Sequence, residues 1–243
     1  MPPRFHVPGL VPDDPLIDLP GEEAHHLHKV LRLGAGAAVR VFDGRGGEWD
    51  AEVVESGSRA VRVRRGAMVA AAPEAGVAIT LAVALLKGDK LDEVVRDAVM
   101  LGVHAIRPFT SAHTEARGAA RARSGRGRWA RIALASTKQC GRAVLPVVHE
   151  VAPLASILAA PEGQGILLAE PAHAARRLAD LGAAPPPSAA TLMVGPEGGW
   201  HPGEVADAMR QGWTILTLGP RTLRADAAPI VALTAVMAVW GEL

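Results

Sequence analysis

Apolar and polar residues alternate in short bursts along residues 1 to about 70. Val39 and Val41 flank Arg40 and lead to Phe42, and the Asp43-Gly44 pair behind them is a turn dipeptide. Residues 49–54 form a second burst, and within residues 59–64 Val61 and Val63 alternate with Arg62 and Arg64, the pattern of a half-buried strand. Ahead of these strands the spacing predicts a short helix over 22–33, with Leu27, Val30 and Leu31 on one face. Several short strands at this spacing predict a small barrel-like domain.

The pattern changes across residues 69–76, where Ala-Ala-Ala-Pro-Glu-Ala-Gly breaks it. Residues 79–86 are a continuous apolar run of strand length. Asp89 then stands at an N-cap position, Leu91, Val94, Val95, Ala98 and Val99 follow at helical spacing, and Gly102 ends the helix. Residues 104–109 read as the next strand, so the order strand, helix, strand predicts a parallel βαβ unit. Further strands are expected at 165–169, 191–194 and 213–218, and an apolar helix at 230–240. The second part is therefore α/β, with strands covered on both faces.

Apolar residues make up 49% of the 243, enough for a sizeable core, and aromatics only 3%, so that core must be aliphatic. The single cysteine, Cys140, excludes an internal disulfide and fits a reducing, cytoplasmic setting. No apolar stretch is long enough to cross a membrane, so no membrane partner is expected. A net charge of +1 selects no partner, but 22 of the 26 basic residues are arginines, whose planar forks suit phosphate. Six of them fall in residues 117–131, a stretch expected to pass from loop to helix near Trp129, either as a nucleic-acid footprint or as a solvated surface. His25, His26 and His28 lie within one helical turn without a carboxylate or cysteine pattern to complete a site, so no metal is expected.

Two turns carry candidate chemistry. Strand 191–194 runs into Gly195-Pro196-Glu197-Gly198-Gly199, and a helix follows with Pro202 at its first position and Glu204 near its third. Strand 213–218 ends in Gly219-Pro220, followed by Arg221, Arg224 and Asp226 ahead of the last helix. In open α/β sheets ligands bind beyond the carboxyl ends of strands, so the two turns are candidates for walls of one pocket. Glu197 is placed to meet a cation or accept a proton, Arg224 to stabilise a developing anion, and Asp226 to do chemistry or to cap the last helix. The chain has no Gly-Lys dipeptide and no Gly-x-Gly-x-x-Gly opening a helix after a strand, which excludes the common phosphate loop and dinucleotide fingerprint.

Five segments in order resemble the ribosomal RNA small-subunit methyltransferase E family of the SPOUT superfamily. They are His25 to Arg32, Leu86 to Lys90, Gln139 to Arg142 with Pro146, Val194 to Gly199, and Leu218 to Arg224. The resemblance spans nearly the whole chain. It implies a PUA-like RNA-binding β-barrel over residues 1–72 and a knotted methyltransferase domain over 73–243, with a parallel sheet and a deep trefoil knot. It further implies a homodimer that methylates uridine N3 in small-subunit (16S) ribosomal RNA and turns S-adenosylmethionine into S-adenosylhomocysteine. By resemblance the donor contacts are Leu168, Leu192, Val194, Gly195, Pro196, Glu197, Gly198, Leu218, Gly219, Leu223, Arg224 and Ala225. Arg224, Glu197 and Asp226 are the expected catalytic groups. Arg32, Lys87, Lys90, Arg117, Arg121, Arg123 and Arg142 are the expected RNA contacts.

The chain departs from the family pattern at Ala225-Asp226-Ala227, where a longer acid and a hydroxyl are usual, at Met100 and at His201. The alternatives are a knotted homologue that grips RNA without efficient methyl transfer, a related enzyme acting on another RNA, and a hydrolase using Glu197.

Overall fold

A computed structural model of the chain describes residues 2–11, 14–58, 60–114, 125–170 and 176–243. They group into two compact units. The first holds residues 1–74 with 137–145, and the second holds 75–136 with 146–243. Residues 137–145 lie beyond the seam at 69–76 in sequence, yet pack with the first unit.

The first unit is a five-stranded sheet in the order β1 (Arg4–His6), β3 (Ala38–Phe42), β4 (Glu48–Ser56), β5 (Val61–Met68) and β2 (Leu16–Asp18). β1 runs parallel to β3 and the other pairings are antiparallel. The alternation read from sequence sets the faces: Val39, Val41, Val53, Val61 and Val63 join Phe5 and Leu27 in the core, while Arg62 and Arg64 face outward. The order ends at β1 and β2, so this is a half-barrel rather than a closed barrel.

The expected helix over 22–33 is shorter and differently wound. One α-helical turn, Gly21–His25, passes into a π-helical turn, His26–Val30, closed by a bond from the Leu31 N–H to the His26 carbonyl. Wider winding breaks the i, i+3, i+4 stacking on which the expected apolar face rested. Leu27 alone is buried; Val30 is 62% exposed and Leu31 is exposed too. Arg32 ends the segment at φ 55°, a left-handed conformation rare outside glycine.

A buried charge network holds residues 137–145. Arg4 pairs with Glu48 through Nε and Nη2 at 2.8 Å, and also donates to the carbonyls of Thr137, Lys138 and Arg142. It thereby caps the end of the helix Gly125–Cys140. Arg142 is only 4% exposed, with its Nε 3.0 Å from a Glu74 carboxylate oxygen. A guanidinium so enclosed has no face left for RNA phosphate, so Arg142 is a structural residue here and not the RNA contact expected of it.

The second unit is a sheet in the order β11 (Arg176–Arg177), β13 (Thr214–Thr217), β10 (Gln164–Leu168), β12 (Ala189–Val194), β6 (Ala78–Ala84), β7 (Ala105–Thr110) and β8 (Val147–Val148). The short β9 (Ala152–Pro153) also pairs with β7, and every pairing is parallel. Successive residues feed opposite faces. Leu81, Val83, Ile166, Leu192 and Val194 meet the helices Lys90–Met100 and Ala228–Trp240, whereas Ala82, Ala84, Leu167 and Met193 meet the helices Leu154–Ala159 and Pro202–Arg210. Burial on both faces explains why these strands are near-continuous apolar runs.

Asp89 does stand at the N-cap of Lys90–Met100, but its side chain makes no capping bond; it pairs instead with Arg128 at 3.0 Å. Gly102, at φ +100°, ends that helix with Gly102 N–H to Val99 and Val103 N–H to Ala98. The final helix carries no charged residue and is buried along Ala232, Leu233, Val236, Met237 and Trp240, while Val231 and Ala238 on its outer face are exposed. Among the described residues no helix is long and apolar enough to cross a membrane.

Candidate active site

β10 is flanked by β12 on one side and β13 on the other, so three parallel strands end side by side. Both predicted turns emerge there. A cleft at this edge is walled by Leu168, Val194, Gly195, Pro196, Glu197, Leu218, Gly219, Leu223 and Ala225 from the expected donor contacts. Three expected contacts are not among its lining residues. Leu192 is fully buried within the sheet core, Gly198 packs under His113, and the Arg224 side chain is 76% exposed outside the cleft wall.

The turn after β12 is shaped by Trp200. Its indole Nε1 donates to the Leu168 carbonyl at 2.7 Å, and its ring stacks on Phe109 with centroids 6.0 Å apart. A Cβ on Gly195 would lie 2.8 Å from that ring, so the chain can pass there only without a side chain. Gly195→Ala is therefore expected to displace either the indole or the turn, at a cost of about 1–3 kcal/mol. Titration calorimetry with S-adenosylmethionine should read this as binding weakened about 5- to 150-fold, and unchanged affinity would show that the turn does not form the donor site.

His201 caps the following helix. Its Nδ1 accepts from the Gly203 N–H at 3.1 Å, while Glu204 reaches back to the His201 N–H at 2.9 Å, completing a capping box. Histidine thus serves as the helix cap at this departure from the family pattern. The turn after β13 uses Gly219 at φ +136°, where L side chains are strained. The last helix is capped at Ala227, so Asp226 does not serve as its N-cap.

The ionisable groups form a linked set at the mouth of the cleft. Glu197 accepts from the Lys87 N–H at 3.1 Å and from Lys90 Nζ at 3.2 Å. Partial burial raises its pKa, but these bonds and one from its own N–H outweigh that, and the net direction is downward. Asp226 binds Arg224 side-on, Oδ1 to Nε at 3.0 Å and Oδ2 to Nη2 at 2.9 Å. That hydrogen bonding is the main reason its pKa falls to about 2, with Lys90 adding to the effect. Lys90, expected to meet RNA, is thus engaged by carboxylates within the site.

Sequence reasoning missed Glu170, and it gave no role to Trp200 or to Arg221 of the second turn; all three line the cleft. Glu170 had a signal, because it follows an expected strand by one residue at the same sheet edge. Of the other expected RNA contacts, Arg32 and Lys87 are exposed, whereas Arg117, Arg121 and Arg123 lie outside the described residues. Within the same basic stretch Arg126 pairs with Glu150 and Arg128 with Asp89, so that part is a paired surface. His26 packs edge-on against Phe5, and His28 bonds Ser56.

Comparison with known proteins agrees with this geometry. An RNA methyltransferase domain family matches residues 73–237, and an RNA methyltransferase PUA domain family matches residues 19–64. The chain is 32% identical to the ribosomal RNA small subunit methyltransferase E of Synechocystis over 92% of its own length and 73% of the relative's. It is 27% identical to the Bacillus subtilis protein of the same name, over 93% and 91%. The crystal structure of a ribosomal RNA small subunit methyltransferase E from Neisseria gonorrhoeae, bound to S-adenosyl methionine, superposes with a TM-score of 0.90 at 29% identity, covering 99% of this chain and 98% of that one. The chain belongs to the ribosomal RNA small-subunit methyltransferase E family.

Proposed function

We propose that this chain methylates N3 of a uridine in 16S ribosomal RNA of the small subunit, with S-adenosylmethionine as donor and S-adenosylhomocysteine as product. The observation that carries the reading is the cleft between the two glycine turns. It offers apolar walls from Leu168, Val194, Leu218 and Ala228 to a flat adenosine and the carboxylates of Glu170 and Glu197 to cationic groups. These residues fit a sulfonium nucleoside. When bound, S-adenosylmethionine supplies a methyl carbon made electrophilic by its sulfonium.

The protein's own task is to hold the uridine and stabilise its N3 anion. Asp226 occupies Nε and Nη2 of Arg224, which fixes the guanidinium plane and leaves Nη1 for an anionic ring. We assign anion stabilisation to Arg224, the holding of that plane to Asp226, and the facing of the donor's positive charge to Glu197. Neither carboxylate is a good base, since both are held below their ordinary range. Hydrogen bonds from Lys87 and Lys90 favour the ionised form of Glu197, and those from Arg224 the ionised form of Asp226. The uridine proton must then leave to solvent, and log kcat is expected to rise by about one per pH unit from pH 6 to 8. A plateau with an inflection between pH 5 and 7 would mean that a protein group takes the proton.

Arg32 and Lys87 belong to the proposed RNA contacts. We also propose a cytoplasmic homodimer with the trefoil knot of the family. The support for a dimer is the uncharged final helix, whose outer face carries Val231, Ala235 and Ala238. The deciding experiment is calorimetric titration with donor and product, followed by methyl transfer to small ribosomal subunits and mass mapping of the modified base. Micromolar binding and one new methyluridine are the expected results; absence of donor binding would leave an RNA-gripping homologue.

A further inference from the structure

Most described arginines of the second unit have a carboxylate partner. Arg96, Arg107, Arg126, Arg128, Arg210 and Arg224 each pair with a carboxylate. Arg131, Arg176, Arg177 and Arg221 are exposed and have no ion-pair partner among the described residues; Arg131 donates to the Gly127 carbonyl of its own helix. The other three belong to β11 and to the turn that follows its neighbour β13. Arg176 and Arg177 form β11, whose register sets Arg176 beside Leu216 and Arg177 beside Thr217. Thr217 and Arg221 line the cleft. The nearest acid in sequence, Asp180, accepts the Arg177 backbone N–H at 2.8 Å, so its hydrogen bond goes to the main chain rather than to a guanidinium.

We propose that Arg176 and Arg177 are a phosphate-binding edge, continued by Arg221, that holds the RNA strand carrying the target uridine. The proposal rests on the functional reading above and extends it from Arg221 in the second turn to an edge strand that the motifs do not mark. Arginines without counter-charges concentrate positive potential, and forked guanidinium groups fit phosphate oxygens. The position, beside the cleft and on the outermost strand, lets a strand pass along the sheet edge with one base turned into the site.

The bland alternative is that charges on an edge strand only prevent sheet-to-sheet aggregation. Charge reversal separates the two readings, because R176E/R177E keeps the edge charged while removing its attraction for phosphate. The full-length protein would be titrated with a fluorescein-labelled oligouridylate over a salt series. Removing two phosphate contacts is expected to lower the steepness of log K against log salt by at least about 1.4 for a single strand. Affinity at low salt should fall at least tenfold, with KM for small subunits raised and donor affinity by calorimetry unchanged. Unchanged oligouridylate affinity and salt slope would overturn the proposal. So would dissociation of a wild-type dimer by the variant in sedimentation, which would assign the edge to a subunit contact. A wild-type protein that transfers no methyl group would fail the functional reading itself, whereas an active wild type with an unaffected double variant would fail only the phosphate edge.

Discussion

Arg4→Ala is expected to destabilise the first unit by about 3–5 kcal/mol, a large share of the 5–15 kcal/mol typical of a folded domain. Both partners of the pair are nearly sealed, Arg4 at 5% and Glu48 at 1% exposure. Removing the guanidinium leaves Glu48 charged, buried and short of its main partner, since Arg40 approaches it only to 3.8 Å. The carbonyls of Thr137, Lys138 and Arg142 lose a donor in the same step. Urea unfolding should show an earlier midpoint. The double variant R4M/E48L is expected to lose much less, because the orphaned charge dominates the cost and not the absence of the pair. Equal losses in the single and double variants would place the cost in the three carbonyl contacts instead.

Arg224→Ala is expected to lower kcat about 100- to 1000-fold, the usual effect of deleting one preorganised donor from an anion site. Donor affinity should stay within a factor of about two, because the side chain lies outside the cleft wall. Arg224→Lys keeps the charge but cannot hold Asp226 through two nitrogens, so it is expected to recover only part of the rate. Equal losses in kcat and donor binding would refute anion stabilisation and make Arg224 a donor contact. Asp226→Asn adds a check: a guanidinium plane held less firmly should lower kcat while leaving the slope of the pH profile unchanged.

The second unit was readable from sequence wherever burial is two-sided. Residues 79–86 and 191–194 are near-continuous apolar runs, broken only by Thr80 and Thr191, because helices cover both faces of β6 and β12. The glycine turns were legible because Gly195 and Gly219 occupy places where a side chain would clash or strain. Pro202 and Glu204 marked the helix start for local reasons, and His201 fills the cap because its ring nitrogen accepts from the Gly203 N–H. The resemblance then tied these segments to one family and one reaction.

Partnerships between charges were decided only by the tertiary structure. Arg142 and Arg224 both follow glycine-containing turns in family motifs, yet one is enclosed by Glu74 and the other stands in solvent beside Asp226. Lys90 meets Glu197 across 107 positions. Edge strands such as β1, β2 and β11 have too few residues to show a period. The π-helical turn erased an apolar face that α-helical spacing implied. Periodicity and backbone demands are local, so the sequence determined the elements and the two turns. The fate of each charge depends on which distant surface folds against it, and that is set by packing.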